Sequence, residues 1–468
     1  MKKHGVISIL LLILLCLSMI SPVVTATQAD SVGGGSNSCQ TIDAQVALLG
    51  SEQLVKNIRS AFIYEMNSDT LMYAYNPDEP EEPASLVKVM TALVAIEQGN
   101  LDDMVTVKES VIKPIPKKTI SAKLVADEVI SFEDLLYCLL VGSASDAAAV
   151  VADHVSGSQE AFVELMNIRA EEIGCTGTVF KNAHGLFHKD QVTTARDSAK
   201  IIKEALKNEK FAEIFGTAYY TVEATNKSEA RNLATNNFLM SQHEVRLYYD
   251  TRVTGGRSGV TEDGTRSIAS TADFEGMKLI CVVMGSASEY RDDSYAVRVY
   301  GGFPETISLL DICYNQYKTV HVIYDGQILT QRPVTNGANQ VSLCVNTSVL
   351  TVLPRNITSK QLKFQYKDKT ITAPVEAGEH LSSVEIWYND LCVGNAELYA
   401  VSDVAVAGTL ECDVKKSSMG IWWLLALIPL AAAVFFAWKY RRRIRRSFRI
   451  FRKRFRRVFG DNRRSRRR

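Results

Sequence analysis

The sequence predicts an α+β protein: a sheet with helices packed over it, then a small all-β module, then one membrane-spanning helix. Three observations carry this reading. Between residues 40 and 317, helix signals cluster in the middle and strand signals lie at both ends. Between residues 318 and 410, short β-prone runs alternate with turn residues every 8–12 positions. Residues 419–438 contain no charged side chain. Twenty helical residues at about 1.5 Å each reach about 30 Å, the thickness of a bilayer's hydrocarbon core.

The chain opens on Met1-Lys2-Lys3-His4, followed by an apolar run to Ile20, Pro22 and the small-residue stretch Val24-Thr25-Ala26. A basic start, an apolar middle and small residues at the end are the parts of a secretory signal peptide, here residues 1–26, with cleavage after Ala26 or Ala29. Residues 27–39 are rich in Gly and Ser and read as a linker.

Residues 61–66 and 70–75 read as two strands around the turn Asn67-Ser68-Asp69. Residues 85–98, dense in Leu, Val, Met and Ala, read as a buried helix that stops near Gly99-Asn100. Residues 132–141 and 146–155 read as two more helices, broken at Gly142, and residues 266–271 and 277–284 as strands. In the β module the clearest runs are 320–324, 362–366 and 384–388.

Pro429 interrupts the apolar run 419–438, which membrane helices tolerate, and Trp422, Trp423, Trp438 and Tyr440 lie near its ends, where aromatic rings prefer the interface. Residues 439–468 hold 17 Lys and Arg against one acid, Asp461, so the near-neutral chain divides into about −15 before the tail and +16 within it. The positive-inside rule places that tail in the cytoplasm and everything before residue 419 outside the membrane. A basic tail directly after a spanning helix suits anionic lipid headgroups and not nucleic acid. Nine cysteines are scattered without a CxxC pair, so no metal site is expected, and the disulfide pattern is left open.

Pro83-Ala84-Ser85-Leu86-Val87-Lys88 contains S-x-x-K at a helix start. Three residues apart on a helix share one face, so Lys88 can reach the Ser85 hydroxyl. A serine is a poor nucleophile until a base takes its proton, and a desolvated lysine can be that base. The same pattern at Ser110-Val111-Ile112-Lys113 reads as solvated surface.

The segments Glu65-Met66-Asn67, Asn76-Pro77-Asp78 and Pro83-Ala84-Ser85-Leu86-Val87-Lys88-Val89-Met90-Thr91 resemble the low-molecular-weight penicillin-binding proteins of the D-alanyl-D-alanine carboxypeptidase type. The resemblance implies a β-lactamase/transpeptidase-like catalytic domain and two further motifs. Ser143-Ala144-Ser145 before Asp146-Ala147-Ala148 fits the second, with Ser145 where the family has asparagine; Ser143 would relay a proton and Ser145 would contact substrate.

The third, K-T-G, has two candidates. Val253-Thr254-Gly255 lacks the cation, whereas Arg257-Ser258-Gly259-Val260 keeps cation, hydroxyl and glycine and is preferred. Arg257 and Ser258 would hold the substrate carboxylate, Gly259 would let its backbone approach, and the N–H groups of Ser85 and Val260 would form an oxyanion hole. Asn182-Ala183-His184-Gly185-Leu186 also matches a family segment, which makes His184 structural and not a triad base. Ala373-Pro374-Val375-Glu376-Ala377-Gly378 resembles the small β domain that follows the family's catalytic domain.

The resemblance, over residues 40–405, implies a serine-type D-alanyl-D-alanine carboxypeptidase that binds peptidoglycan stem peptides and β-lactam antibiotics and needs no cofactor. Three departures from the family pattern, at Val87, Ser145 and Arg257-Ser258, also fit a non-catalytic wall-binding relative. A β-lactamase fits less well, because no glutamate-containing loop offers a deacylating base and the β module and spanning helix are extra.

Overall fold

The computed structural model describes residues 47–408, apart from 292, 293 and 368, together with Lys439. The expected signal peptide and linker, the membrane helix at 419–438 and the rest of the basic tail lie outside the described residues. Among those described, no helix is long and apolar enough to cross a membrane.

Two antiparallel strands open the first unit, β1 (Ser60–Glu65) and β2 (Thr70–Tyr75). Their turn is held by the buried carboxylate of Glu65, which accepts from the Ser68 amide at 2.7 Å and the Ser68 hydroxyl at 2.6 Å. A single 3-10 turn, Ala84–Leu86, then leads into α1 (Val87–Gln98). The expected helix at 85–98 therefore begins two residues later as a true α-helix. Ser85 and Leu86 lie instead in the tighter 3-10 turn, in which the Leu86 amide donates to the Pro83 carbonyl at 2.9 Å, and Ala84 at its start has a left-handed φ of +44°.

Helices α2 (Phe132–Leu140) and α3 (Ser145–Ser156) follow, separated at Gly142, where a side chain would sit 2.8 Å from the Cys138 carbonyl. Then come α4 (Gln159–Ile173) and α5 (Ala195–Ala205), capped by the hydroxyls of Ser158 and Thr194. Three long strands close the unit, β3 (Val253–Val260), β4 (Arg266–Phe274) and β5 (Met277–Ser286), with α6 (Phe303–Gln316) after them.

The sheet order is β2-β1-β5-β4-β3, antiparallel throughout, so β3 is an edge strand. Alternation along β1 assigns its side chains to two cores. Phe62 and Tyr64 pack under α1–α5, whereas Ala61 and Ile63 pack with Leu309, Leu310 and Cys313 of α6. With both faces covered, the strand reads as continuously apolar and fully buried.

The chain passes from α6 straight into a strand at Tyr317–Ile323. Residues 317–406 form a five-stranded sheet and a two-stranded one around their own apolar core, which includes Val341, Leu343, Val384, Ile386 and Leu398. The expected β runs fall within or overlap the strands Tyr317–Ile323, Lys363–Tyr366 and His380–Tyr388. Cys138, Cys281 and Cys313 are buried free thiols, and Cys392 is in a disulfide.

Candidate active site

Ser85 sits on the 3-10 turn directly before α1, and the first turn of that helix brings Lys88 back over it. Lys88 Nζ is 3.4 Å from Ser85 Oγ. Its other partner is the carbonyl oxygen of His184, to which it donates at 2.5 Å. Lys88 is buried, and among the described residues no acid pairs with it directly. Burial, followed by the charge of Arg257, pulls its pKa down to about 7, with Asp146 opposing weakly. A lysine near neutrality holds a free lone pair at ordinary pH and can accept a proton from Ser85.

Ser143 lies in the loop between α2 and α3 with its Oγ 3.3 Å from Ser85 Oγ. Its φ of +54° is uncommon for a residue with a side chain. Two of the residues at the reacting centre, Ala84 and Ser143, therefore hold left-handed backbone, a kind of strain that concentrates at functional sites. Ser145 is buried at the first residue of α3, and its N–H donates to the Ile120 carbonyl. Among the described residues its hydroxyl makes no hydrogen bond to Ser85, Lys88 or Arg257. Asp146, the second residue of α3, accepts from Ser121 Oγ and from the amides of Ala122 and Leu124, so it ties the 121–124 loop over this corner.

Strand β3 forms the opposite wall. A Cβ on Gly259 would meet the Ser85 amide nitrogen at 2.7 Å and the Ala84 Cβ at 3.0 Å. This residue is glycine because the strand backbone runs against the nucleophile. The rejected candidate is placed elsewhere along the strand: Gly255 abuts Phe215, and Thr254 bonds to Thr271. Val260 is 53 % exposed at the strand's end.

Arg257 is only 1 % exposed, and its Nη1 donates to the Val141 carbonyl at 3.5 Å. Its Nε and Nη2 are buried without a partner, and burial pulls its pKa down to about 9. The hydroxyl of Ser258 donates to the Asn236 carbonyl at 2.7 Å, and the Asn236 amide donates back to the Ser258 carbonyl at 2.8 Å.

His184 belongs to a tight loop: Asn182 Oδ1 accepts from the Gly185 amide, and the Thr91 hydroxyl donates to the Ala183 carbonyl. Gly185 has φ +72°, and a Cβ there would lie 2.1 Å from the Ala84 carbonyl. The His184 ring accepts from the Leu186 amide, and burial with the nearby Lys88 holds its pKa down at about 4. Its backbone carbonyl, not its ring, faces the reacting centre. The second S-x-x-K lies on the solvent-facing helix Glu109–Ile112, where Lys113 pairs with Glu109.

Sequence reasoning did not single out the His184 carbonyl, Asn236 or Arg266. Arg266 opens β4 opposite Val260, and its Nη1 is 3.5 Å from Ser258 Oγ. Among the described residues no cluster of His, Cys, Asp and Glu could hold a metal ion.

Comparison with known proteins follows the same outline. Residues 51–288 match the family described as D-alanyl-D-alanine carboxypeptidase, and residues 317–406 match the penicillin-binding protein 5 C-terminal domain. The D-alanyl-D-alanine carboxypeptidase DacF of Bacillus subtilis is 25% identical over 381 residues, which cover 80% of this chain and 92% of that protein. DacA of Haemophilus influenzae is 28% identical over 360 residues, 74% of this chain and 85% of that one. The crystal structure of penicillin-binding protein 5 from Haemophilus influenzae superposes with a TM-score of 0.63 at 26% identity, covering 76% of this chain and 100% of that one.

Proposed function

The chain belongs to the D-alanyl-D-alanine carboxypeptidase family and is a serine-type hydrolase of that class, and we propose that it works through an acyl-enzyme on Ser85. The observation that carries the assignment is the Ser85–Lys88 pair: a hydroxyl on a strained turn, 3.4 Å from a buried amine whose pKa is about 7.

Neutral Lys88 takes the proton of Ser85 as Oγ attacks the carbonyl between the last two D-alanines of a peptidoglycan stem peptide. The N–H groups of Ser85 and Val260 stabilise the oxyanion, a reading supported by the close passage of Gly259 against the Ser85 amide. Ser143 passes a proton to the departing D-alanine amine, and the buried cation of Arg257 attracts its carboxylate, with the Ser258 hydroxyl donating to it once turned from the Asn236 carbonyl. Ser145 lines the substrate side of the cleft. Water then hydrolyses the ester with Lys88 again as base. A β-lactam offers the same carbonyl and carboxylate and acylates Ser85. A non-catalytic role is disfavoured because the three departures from the family pattern leave the Ser85–Lys88–Ser143 cluster assembled.

The enzyme acts outside the cytoplasm, in keeping with its family. We place it there as a single-pass membrane protein, with a cleaved signal at 1–26, a span at 419–438 and the basic tail against anionic lipid. The support is the charge and hydropathy pattern of the sequence. The deciding experiment for the site is labelling of the ectodomain with a fluorescent penicillin and mass spectrometry of the adduct. A single adduct on Ser85, absent in Ser85→Ala, is expected. An adduct retained by Ser85→Ala, or none on folded wild type, sinks the assignment.

A further inference from the structure

The wall of the cleft opposite β3 is bordered by the 117–124 loop. The Ile120 carbonyl accepts from the Ser145 amide at 2.8 Å, so the loop lies against the turn at 143–145. Asp146 clamps the residues that follow, through Ser121 Oγ at 2.7 Å and the amides of Ala122 and Leu124 at 2.9 and 3.0 Å. Ser121 Oγ in turn accepts from the Lys123 amide at 2.8 Å. Ala122 and Leu124 are buried, whereas Lys117, Lys118 and Lys123 are exposed. Lys123 has a φ of +58°, a conformation costly for a residue with a side chain and kept here by those bonds.

Among the described residues no carboxylate pairs with Lys117, Lys118 or Lys123, whereas Lys108 and Lys113, earlier on the same stretch, pair with Asp153 and Glu109. Two acids beside the loop are engaged elsewhere. Asp146 holds its three donors, and Glu128 pairs with Arg231 at 2.7 Å, which also reaches the Lys123 carbonyl at 3.5 Å. Asp127 faces solvent and offsets one of the three charges. The rim across the cleft is negative: beside Ser85 and past the end of β3, Glu82 accepts from the Glu262 amide at 2.9 Å. The chain before its tail carries about −15 in all. A basic rim on an acidic molecule, held on fixed backbone beside the reacting centre, sets a field across the cleft that favours anions on this side.

We propose that the 117–123 loop is a substrate-recognising lip, at which Lys117, Lys118 and Lys123 receive a free carboxylate carried by the peptide ahead of its D-alanyl-D-alanine end, so that the enzyme favours acidic stem peptides over the same peptides amidated. The proposal rests on the Ser85 reading. A peptide bound between β3 and the turn at 143–145 has this lip along one side. Its upstream carboxylates meet cations that solvent also reaches. Recognition here is therefore graded and electrostatic, and salt weakens it.

The test uses the full-length protein in a non-ionic detergent and two N-acetylated tetrapeptides ending in D-alanyl-D-alanine, alike except for glutamate or glutamine at the first residue. One exposed ion pair is worth up to about fivefold. At low salt, wild type is expected to prefer the glutamate peptide by about 3–10-fold in kcat/KM, and at about 0.5 M salt by less than about twofold. Replacing all three lysines by Gln is expected to bring the low-salt ratio to within about twofold, mainly through slower cleavage of the glutamate peptide. Replacing all three by Arg should keep the preference. The basic tail is present in every protein compared, so it does not enter the difference.

A wild-type ratio in the triple Gln variant overturns the proposal, and so does an equal fall for both peptides, which marks a purely structural loop. If the triple Gln variant does not fold, the salt series on wild type decides, and a preference that high salt leaves unchanged overturns it. Failure of wild type to cleave either peptide removes the Ser85 reading and this proposal with it. Equal cleavage of the two peptides by wild type at low salt removes only this one.

Discussion

Lys88 donates to the backbone carbonyl of His184 at 2.5 Å, across 96 positions of sequence. That carbonyl holds the amine beside Ser85 without supplying the negative charge that would keep it protonated. The predicted consequence is a pH profile. Only neutral Lys88 can accept the Ser85 proton, and its pKa is about 7. The neutral fraction rises about tenfold between pH 6 and pH 8 for a group with that pKa. The rate constant for acylation by penicillin should follow it and level off above pH 8. Stopped-flow labelling from pH 5 to 9 checks this, and a flat profile counts against Lys88 as the base.

The same lysine makes a stability prediction. Its pKa is about 7 in the fold, against 10.5 as its ordinary value. Between these the unfolded chain binds more protons, so stability rises with pH across that window. The cost of burying Lys88 is fully present below pH 7 and gone above about 10.5. Lys88→Met removes the cost while filling similar space. It should raise Tm at pH 6, by roughly 2–4 °C per kcal/mol recovered, and raise it less at pH 9, while abolishing acylation. Scanning calorimetry at the two pH values tests the difference, and a lower Tm at pH 6 contradicts the sign.

Gly259→Ala separates geometry from chemistry. The added Cβ meets the Ser85 amide at 2.7 Å, a backbone atom that cannot swing aside. The strand must move away from the nucleophile, and with it the Val260 N–H. Loss of one oxyanion donor costs about 10²–10³-fold in the acylation rate. The fold should survive, because β3 is an edge strand and its pairing with β4 remains. Acylation within tenfold of wild type would show that this strand does not build the oxyanion hole.

Much of this was legible before the structure, for physical reasons. Lys88 follows Ser85 by three residues, so local helix geometry alone brings them together. The apolar runs of β1 and β5 exceed what one covered face requires, and both cores claim them. Side-chain chemistry favours Arg257-Ser258-Gly259 over Val253-Thr254-Gly255, and in the fold Gly259 lies against Ser85 while Gly255 lies against Phe215. What was not legible depends on register between distant segments. Asn236 reaches Ser258 from 22 residues away, and Arg266 meets it only because β4 pairs with β3. Neither residue has a periodic or motif signal. The His184 carbonyl could not be foreseen either, since a backbone oxygen leaves no mark on sequence.

Ser143 carries two separable properties, a hydroxyl 3.3 Å from Ser85 Oγ and a backbone φ of +54°. If the hydroxyl relays the proton to the leaving amine, Ser143→Ala and Ser143→Gly should lose activity alike, by about 10²-fold or more. Their stabilities should diverge. Alanine keeps the left-handed strain, whereas glycine adopts that conformation freely and relieves up to about 1–3 kcal/mol of it. The expected pattern is therefore two variants equally slow in D-alanine release, with the glycine variant melting higher than the alanine one. A glycine variant as active as wild type would mean that the loop conformation, and not the hydroxyl, is what the reaction needs from this position.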